Sequence, residues 1–167
     1  MSPLVLIGIG GNLDSVRWGP PRATLTAALA ALAAEGVVVG VRSGWYRTEP
    51  VPPSDQPWFI NAVAAIETGL DAGALLALMQ RIEVLLGRVR TVPNAARAVD
   101  LDLLDYRGEQ TQSPHLVLPH PRLHQRRFVL EPLVEIAPDW RHPVLGTTAR
   151  QLLAALEPGQ RVIRLAD

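Results

Sequence analysis

The chain has 167 residues, with 16 basic and 16 acidic side chains and a formal net charge of zero, which argues against a broad nucleic-acid-binding surface. It contains no cysteine and no lysine, every basic residue being arginine, so disulfides, thiolate catalysis, thiolate metal sites, a Walker-type lysine and Schiff-base chemistry are all excluded. Apolar residues make up 48% of the chain, enough for a single domain over 1–167 with a sizeable core.

Residues 4–9 are a short apolar run and predict a first strand. They lack the basic flank and small-residue cleavage site of a signal peptide. No run of eighteen apolar residues follows, so the expectation is a cytoplasmic protein with no membrane contact. Gly8, Gly10 and Gly11 read as a tight turn needing positive φ. Leu25, Ala28, Leu29 and Leu32 mark one helical face, with Gly36 as its stop. Residues 37–46 are β-branched and predict a strand. Pro50, Pro52, Pro53 and Pro57 then impose a stiff extended loop. A strand over 59–68 puts Phe59 and Asn61 on one face.

Leu75, Leu78, Met79, Ile82, Leu85 and Leu86 predict a second helix closed by Gly87, with Gln80 and Glu83 as neighbours on its flank. A loop over 88–97 leads to a strand over 100–104. A short strand over 115–118, a short helix within 121–130, a helix over 148–156 and a last strand over 161–165 complete the chain. The order β-α-β-β-α-β predicts an α+β fold, a ferredoxin-like α/β sandwich with a mainly antiparallel sheet covered by helices.

Asp100 and Asp102 stand two residues apart within a strand pattern and therefore share a face, with Val99, Leu101 and Leu103 on the other. Their carboxylates are separated by roughly 6–7 Å. At an effective dielectric of about 20 they repel by about 2.5 kcal/mol. The pair is either a solvated strand end or a site for a hard divalent cation such as Mg2+. Arg88, Arg90 and Arg97 form one basic cluster and Arg122, Arg126 and Arg127 another. They are either solvated loops or a local anion site.

Taken singly these features are ordinary, but their order is specific. Gly10-x-Asn12-Leu13, Tyr46-x-Thr48, Gln56-Pro57-x-Phe59-x-Asn61-Ala62 and Gln80-x-Ile82-Glu83 occur in that order. Gly87-Arg88-Val89-Arg90, Asp100-x-Asp102, Pro119-His120-Pro121-Arg122 and Arg126-x-Phe128 follow. From about Leu4 to Pro143 the chain resembles the 6-hydroxymethyl-7,8-dihydropterin pyrophosphokinase family of folate biosynthesis.

The resemblance implies transfer of pyrophosphate from ATP to the hydroxymethyl group of a reduced pterin, with release of AMP, by a monomer. It implies that Asp100 and Asp102 hold two Mg2+ ions and that Arg88 and Arg97 reach the reacting phosphates. It assigns Gln80, Glu83, Arg90, His120, Arg122 and Arg126 to the nucleotide. Thr48, Glu49, Pro50, Phe59, Asn61 and Phe128 fall to the pterin. Phe59 and Phe128 suit a flat heterocycle, and Asn61 offers both a donor and an acceptor to its edge.

The chain departs from the family pattern in four places. Pro93-Asn94-Ala95-Ala96-Arg97 replaces the usual Trp-Gly-Pro-Arg lead into the aspartate strand, one residue shorter. Thr91 stands for a basic residue, Gly11 for serine, and His115 and Val117 for nucleotide-contacting side chains. These departures bear on loop closure, turnover rate and nucleotide affinity, and two alternatives to the family reading stand, the first motivated by the altered loop. One is a non-catalytic relative that binds pterin or nucleotide. The other is an unrelated D-x-D metal-dependent transferase.

Overall fold

The computed structural model describes residues 4–88 and 96–166. Its main sheet is antiparallel throughout, in the order β5-β1-β4-β3-β8, with β2 also paired to β4. These strands are β1 (Val5–Gly11), β2 (Val38–Arg42), β3 (Tyr46–Thr48), β4 (Phe59–Glu67), β5 (Asp100–Tyr106) and β8 (Val162–Arg164). β2 and β3 share one edge of β4, against residues 64–67 and 59–61 respectively. A separate two-stranded ribbon joins β6 (Thr111–Gln112) to β7 (Val117–Leu118).

Helices cover both faces. α1 (Pro21–Ala34) and α2 (Ala72–Leu85) pack on one side, where Val5, Ile7, Ile9, Ala62, Leu101 and Leu103 join Leu25, Leu32, Leu75 and Met79 in one core. α3 (Arg127–Ile136) and α4 (Ala149–Ala155) pack on the other, around Leu6, Val63, Leu104, Leu130 and Leu133. Alternate residues of β1, β4 and β5 thus serve opposite cores, as the pleat requires. The expected sandwich is present, with a second helical layer added by the C-terminal third. Among the described residues no helix is long and apolar enough to cross a membrane.

Local chemistry explains the element ends. The Asp71 carboxylate accepts from the Ala74 N–H at 2.8 Å and caps α2. Thr148 and Gln151 form a capping box that starts α4. Gly36 (φ +85°) and Gly87 (φ +96°) follow the C-terminal ends of α1 and α2, as read from the sequence.

Several expectations need correction. The strand read over 37–46 is broken into β2 and β3, because the Ser43 Oγ accepts from the Val63 N–H (3.0 Å) and takes the place of a ladder bond. Leu85 is exposed rather than part of the buried stripe of α2. The helix expected within 121–130 is a 3-10 turn, Leu123–Gln125, followed by α3, which runs on through Pro132 to Ile136. Gly8, Gly10 and Gly11 lie inside β1 and none has positive φ. Their smallness, not their backbone freedom, is what the fold uses.

Candidate active site

On the α3 face of the sheet, beyond Leu6, Val63 and Leu104, apolar residues give way to glycine and polar side chains. There a groove of about 400 Å3 opens, with strand residues of β1, β4 and β5 among those lining it. Asp102 pairs across the ladder with Gly8 and Asp100 with Gly10. The missing side chains on β1 leave the space beside both carboxylates open.

Both aspartates face this groove, as the alternation predicted. Asp102 lies deep, and burial together with the Asp100 charge pushes its carboxyl up to about 7. Asp100 is engaged by two arginines. Arg88 Nη1 donates to Asp100 Oδ1 at 2.6 Å, and Arg97 Nη1 donates to Asp100 Oδ2 at 3.1 Å. Arg88 Nη1 also donates to Glu83 Oε2. Burial lowers the Arg88 pKa, but Asp100 and Glu83 outweigh it and hold the guanidinium above its ordinary value.

Glu83 does not line the groove. It is buried behind Asp100, and its Oε2 also accepts from the Leu101 N–H at 2.8 Å, between the two aspartates. Burial raises its pKa. The residue expected at the nucleotide is therefore a bolt between α2 and β5. Gln80 is exposed on α2 and stands apart from the groove. Arg90 lies outside the described residues.

The segment running from His120 through the 3-10 turn to the start of α3 adds His120, Arg122, Arg126 and Phe128 to the lining. His120 Nδ1 accepts from the Arg122 N–H at 3.1 Å. An imidazole accepting there carries any ring proton on Nε2. Burial and the neighbouring Arg126 charge pull its pKa down to about 4. Arg126 is itself lowered by burial. Its guanidinium lies 5.3 Å from the Phe128 ring centre, and that of Arg97 lies 5.8 Å from the Phe59 ring centre. Each groove phenylalanine thus has a cation over its ring.

Thr48, Glu49, Phe59 and Asn61 form the third wall. Asn61 Nδ2 donates to Thr48 Oγ1 at 2.6 Å, and both residues are buried. A Cβ on Gly10 would sit 2.2 Å from Asn61 Oδ1. Glycine at this position is what lets Asn61 lie flat on the strand. Pro50 is buried just outside the groove, while its neighbours Glu49, Val51 and Pro52 line it.

The sequence missed Gly8, Gly10 and Gln125 as groove residues. Their signals were present. The glycines alternate with the core residues of β1, and Gln125 falls between two matched motif residues. His115 and Val117 do not line the groove. Among the described residues no three histidines, aspartates or glutamates gather to hold a metal on their own. Mg2+ commonly takes only one or two carboxylates and completes its shell with water and substrate phosphates. The Asp100–Asp102 pair fits that donor set.

Comparison with known proteins places the chain among the kinases that transfer a diphosphate group. The model of the 7,8-dihydro-6-hydroxymethylpterin-pyrophosphokinase (HPPK) family matches residues 6–138, and the chain belongs to that family. The family transfers pyrophosphate from ATP to hydroxymethyl-dihydropterin, a step of folate biosynthesis. The 2-amino-4-hydroxy-6-hydroxymethyldihydropteridine pyrophosphokinase of Methylorubrum extorquens is 44% identical over 153 residues, covering 91% of this chain and 92% of its own. That of Haemophilus influenzae is 42% identical over 134 residues, covering 80% and 81%. A crystal structure of wild-type Plasmodium falciparum HPPK-DHPS superposes with a TM-score of 0.68 at 13% identity. It covers 92% of this chain, which spans 42% of that longer one.

Proposed function

We propose that this chain carries out the family reaction in the groove described above, as a Mg2+-dependent transfer of the β,γ-diphosphate of ATP to the hydroxymethyl oxygen of 6-hydroxymethyl-7,8-dihydropterin, releasing AMP. The observation that carries the reading is that Asp100, Asp102, Arg88, Arg97 and Arg126 line the same cleft as Thr48, Phe59, Asn61 and Phe128. A triphosphate needs the first set and a flat, hydrogen-bonding ring needs the second.

The pterin would lie along Phe59 and Phe128, its edge read by Asn61 and Thr48. The nucleotide would lie toward His120, Arg122 and Arg126. The hydroxymethyl group then falls between the two sets, where the aspartates stand. Attack of the alcohol oxygen at the β-phosphorus breaks the phosphorus bond to the bridging oxygen that leaves with AMP, and the hydroxyl proton is released to water. Charge builds on the phosphate oxygens, and Arg88 and Arg97 answer it with fixed guanidinium donors. Mg2+ held by Asp100 and Asp102 would supply further charge neutralisation at the phosphates. Neutral His120 leaves the negative charge of the nucleotide to the arginines.

ATP, Mg2+ and 6-hydroxymethyl-7,8-dihydropterin should together yield AMP rather than ADP, and yield none when any one of the three is left out. Asp102→Ala should abolish AMP formation while the melting temperature stays level or rises, since the variant removes a desolvated, half-buried carboxyl that Asp100 repels. AMP formation retained in that variant would overturn the metal-ligand assignment. Formation of ADP would overturn the reaction itself.

A further inference from the structure

Residues 160–164 lie far from the aspartates, and neither Gln160 nor Arg161 lines the groove. Yet both close on its pterin wall. We infer that Gln160 and Arg161 are positioning residues that set the spacing of that wall, and thereby the affinity for the pterin. This inference rests on the reading of Thr48, Phe59 and Asn61 as the pterin wall.

The wall is built from two short stretches, the end of β3 and the start of β4, with Thr48 opposite Phe59 in register. β3 has only three residues. On its far side it depends on β8, where Thr48 pairs with Val162 and Arg47 with Ile163. Immediately after Thr48, Glu49 turns every polar group that the structure engages toward the C-terminal segment. Its N–H donates to the Arg161 carbonyl (3.1 Å), its carbonyl accepts from Gln160 Nε2 (2.6 Å), and its Oε1 accepts from the Arg161 N–H (2.5 Å). The Arg161 Nε is 3.4 Å from the same oxygen.

Arg161 also reaches the second stretch. Its guanidinium stands 4.8 Å from the centre of the Trp58 ring, which Arg47 also approaches at 4.7 Å. Trp58 immediately precedes Phe59. One side chain therefore fastens both the exit of β3 and the entry to β4, where the wall residues are mounted. A proline-rich loop over 50–57 connects these points, and most of it is exposed. Without the C-terminal segment, the separation of Thr48 from Phe59 would depend on the short β3–β4 ladder and the Asn61–Thr48 hydrogen bond.

The test is to measure binding of 6-hydroxymethyl-7,8-dihydropterin by calorimetry, together with KM for both substrates and kcat. It compares the natural chain, Gln160→Ala, the double variant Gln160→Ala/Arg161→Ala, and Asn61→Ala as a wall control. Loss of the Gln160 hydrogen bond, the Arg161–Glu49 ion pair and the ring contact should weaken pterin binding about tenfold in the double variant, and loss of the Gln160 bond alone about threefold. KM for ATP and kcat should stay unchanged, a split that general loosening of the fold would not give. Gln160→Ala leaves β8 in place and keeps the test open if the double variant folds poorly. Unchanged pterin affinity in both C-terminal variants, with Asn61→Ala weakened, overturns the positioning role alone. Unchanged affinity in Asn61→Ala as well overturns the wall assignment and this inference with it. An equal rise of both KM values also overturns the inference.

Discussion

Asn12 and Arg97 hold each other in both directions. The Asn12 N–H donates to the Arg97 carbonyl and the Arg97 N–H donates to Asn12 Oδ1, each at 2.8 Å. Asn12 Nδ2 donates to Gln56 Oε1 at 2.9 Å and to the Pro57 carbonyl at 2.8 Å. One buried side chain thus ties the end of β1 to the loop before β4 and to the segment that delivers Arg97. Asn12→Ala should cost about 1–2 kcal/mol, since three part-buried hydrogen bonds of a buried side chain are lost. It should also slow AMP formation, because Arg97 loses its anchor. Urea unfolding and a turnover assay check both, and unchanged stability would show that the knot is dispensable.

Two adjacent glycines should separate binding from turnover. A Cβ at Gly10 meets Asn61 Oδ1 at 2.2 Å, whereas a Cβ at Gly11 meets the Ala98 carbonyl oxygen at 2.3 Å. Gly10→Ala should displace Asn61 and weaken pterin binding at least tenfold. Gly11→Ala should push the 97–98 backbone away, lowering kcat and costing about 1–3 kcal/mol of stability. The two variants having the same kinetic signature would contradict this division.

Arg97 is paired with Asp100. If its work is done on the reacting phosphates, Arg97→Ala should lower kcat about 100-fold or more and change ATP binding by only a few-fold. A loss confined to KM would mean that the arginine serves only the ground state.

His120 should leave a signature in the pH dependence of stability. Its pKa is about 4 in the folded chain, below the ordinary 6.5. The unfolded chain therefore takes up the proton first. Stability from this group is complete above about 6.5 and is lost as the pH falls toward 4. Asp102 has a raised pKa, about 7 against 3.8, and acts in the opposite sense over an overlapping window. Only the difference between the natural chain and His120→Gln isolates the histidine. Between pH 6.5 and 4 the variant should lose less stability than the natural chain, as read from denaturant unfolding at several pH values. Parallel curves would refute the half-buried, neutral imidazole.

Much of the site was legible because it is written in the strand period. Asp100 with Asp102, and Phe59 with Asn61, were placed on shared faces by alternation alone, and the groove contains all four. What escaped were relations between distant segments. The resemblance assigns Glu83 to the nucleotide, yet it is buried outside the groove against the Leu101 N–H of β5. The glycines of β1 looked like turn residues, because their reason lies in Asn61 and Ala98, far along the chain. The break between β2 and β3 depends on a side-chain hydroxyl of Ser43 reaching Val63. No window of neighbouring residues contains such pairings.

The ladder between β1 and β5 sets Gly8 against Asp102 and Gly10 against Asp100, then shifts once between Leu6 and Ile7, so that Leu104 and Asp105 both turn toward α3. A one-residue slip in this ladder would exchange the two faces. Leu101 and Leu103 would then line the groove and two carboxylates would enter the core of α1 and α2. Single-residue insertions or deletions between positions 99 and 103 should therefore be far more damaging than most substitutions there. The spacing of this strand guards the chemistry as closely as the identity of its residues.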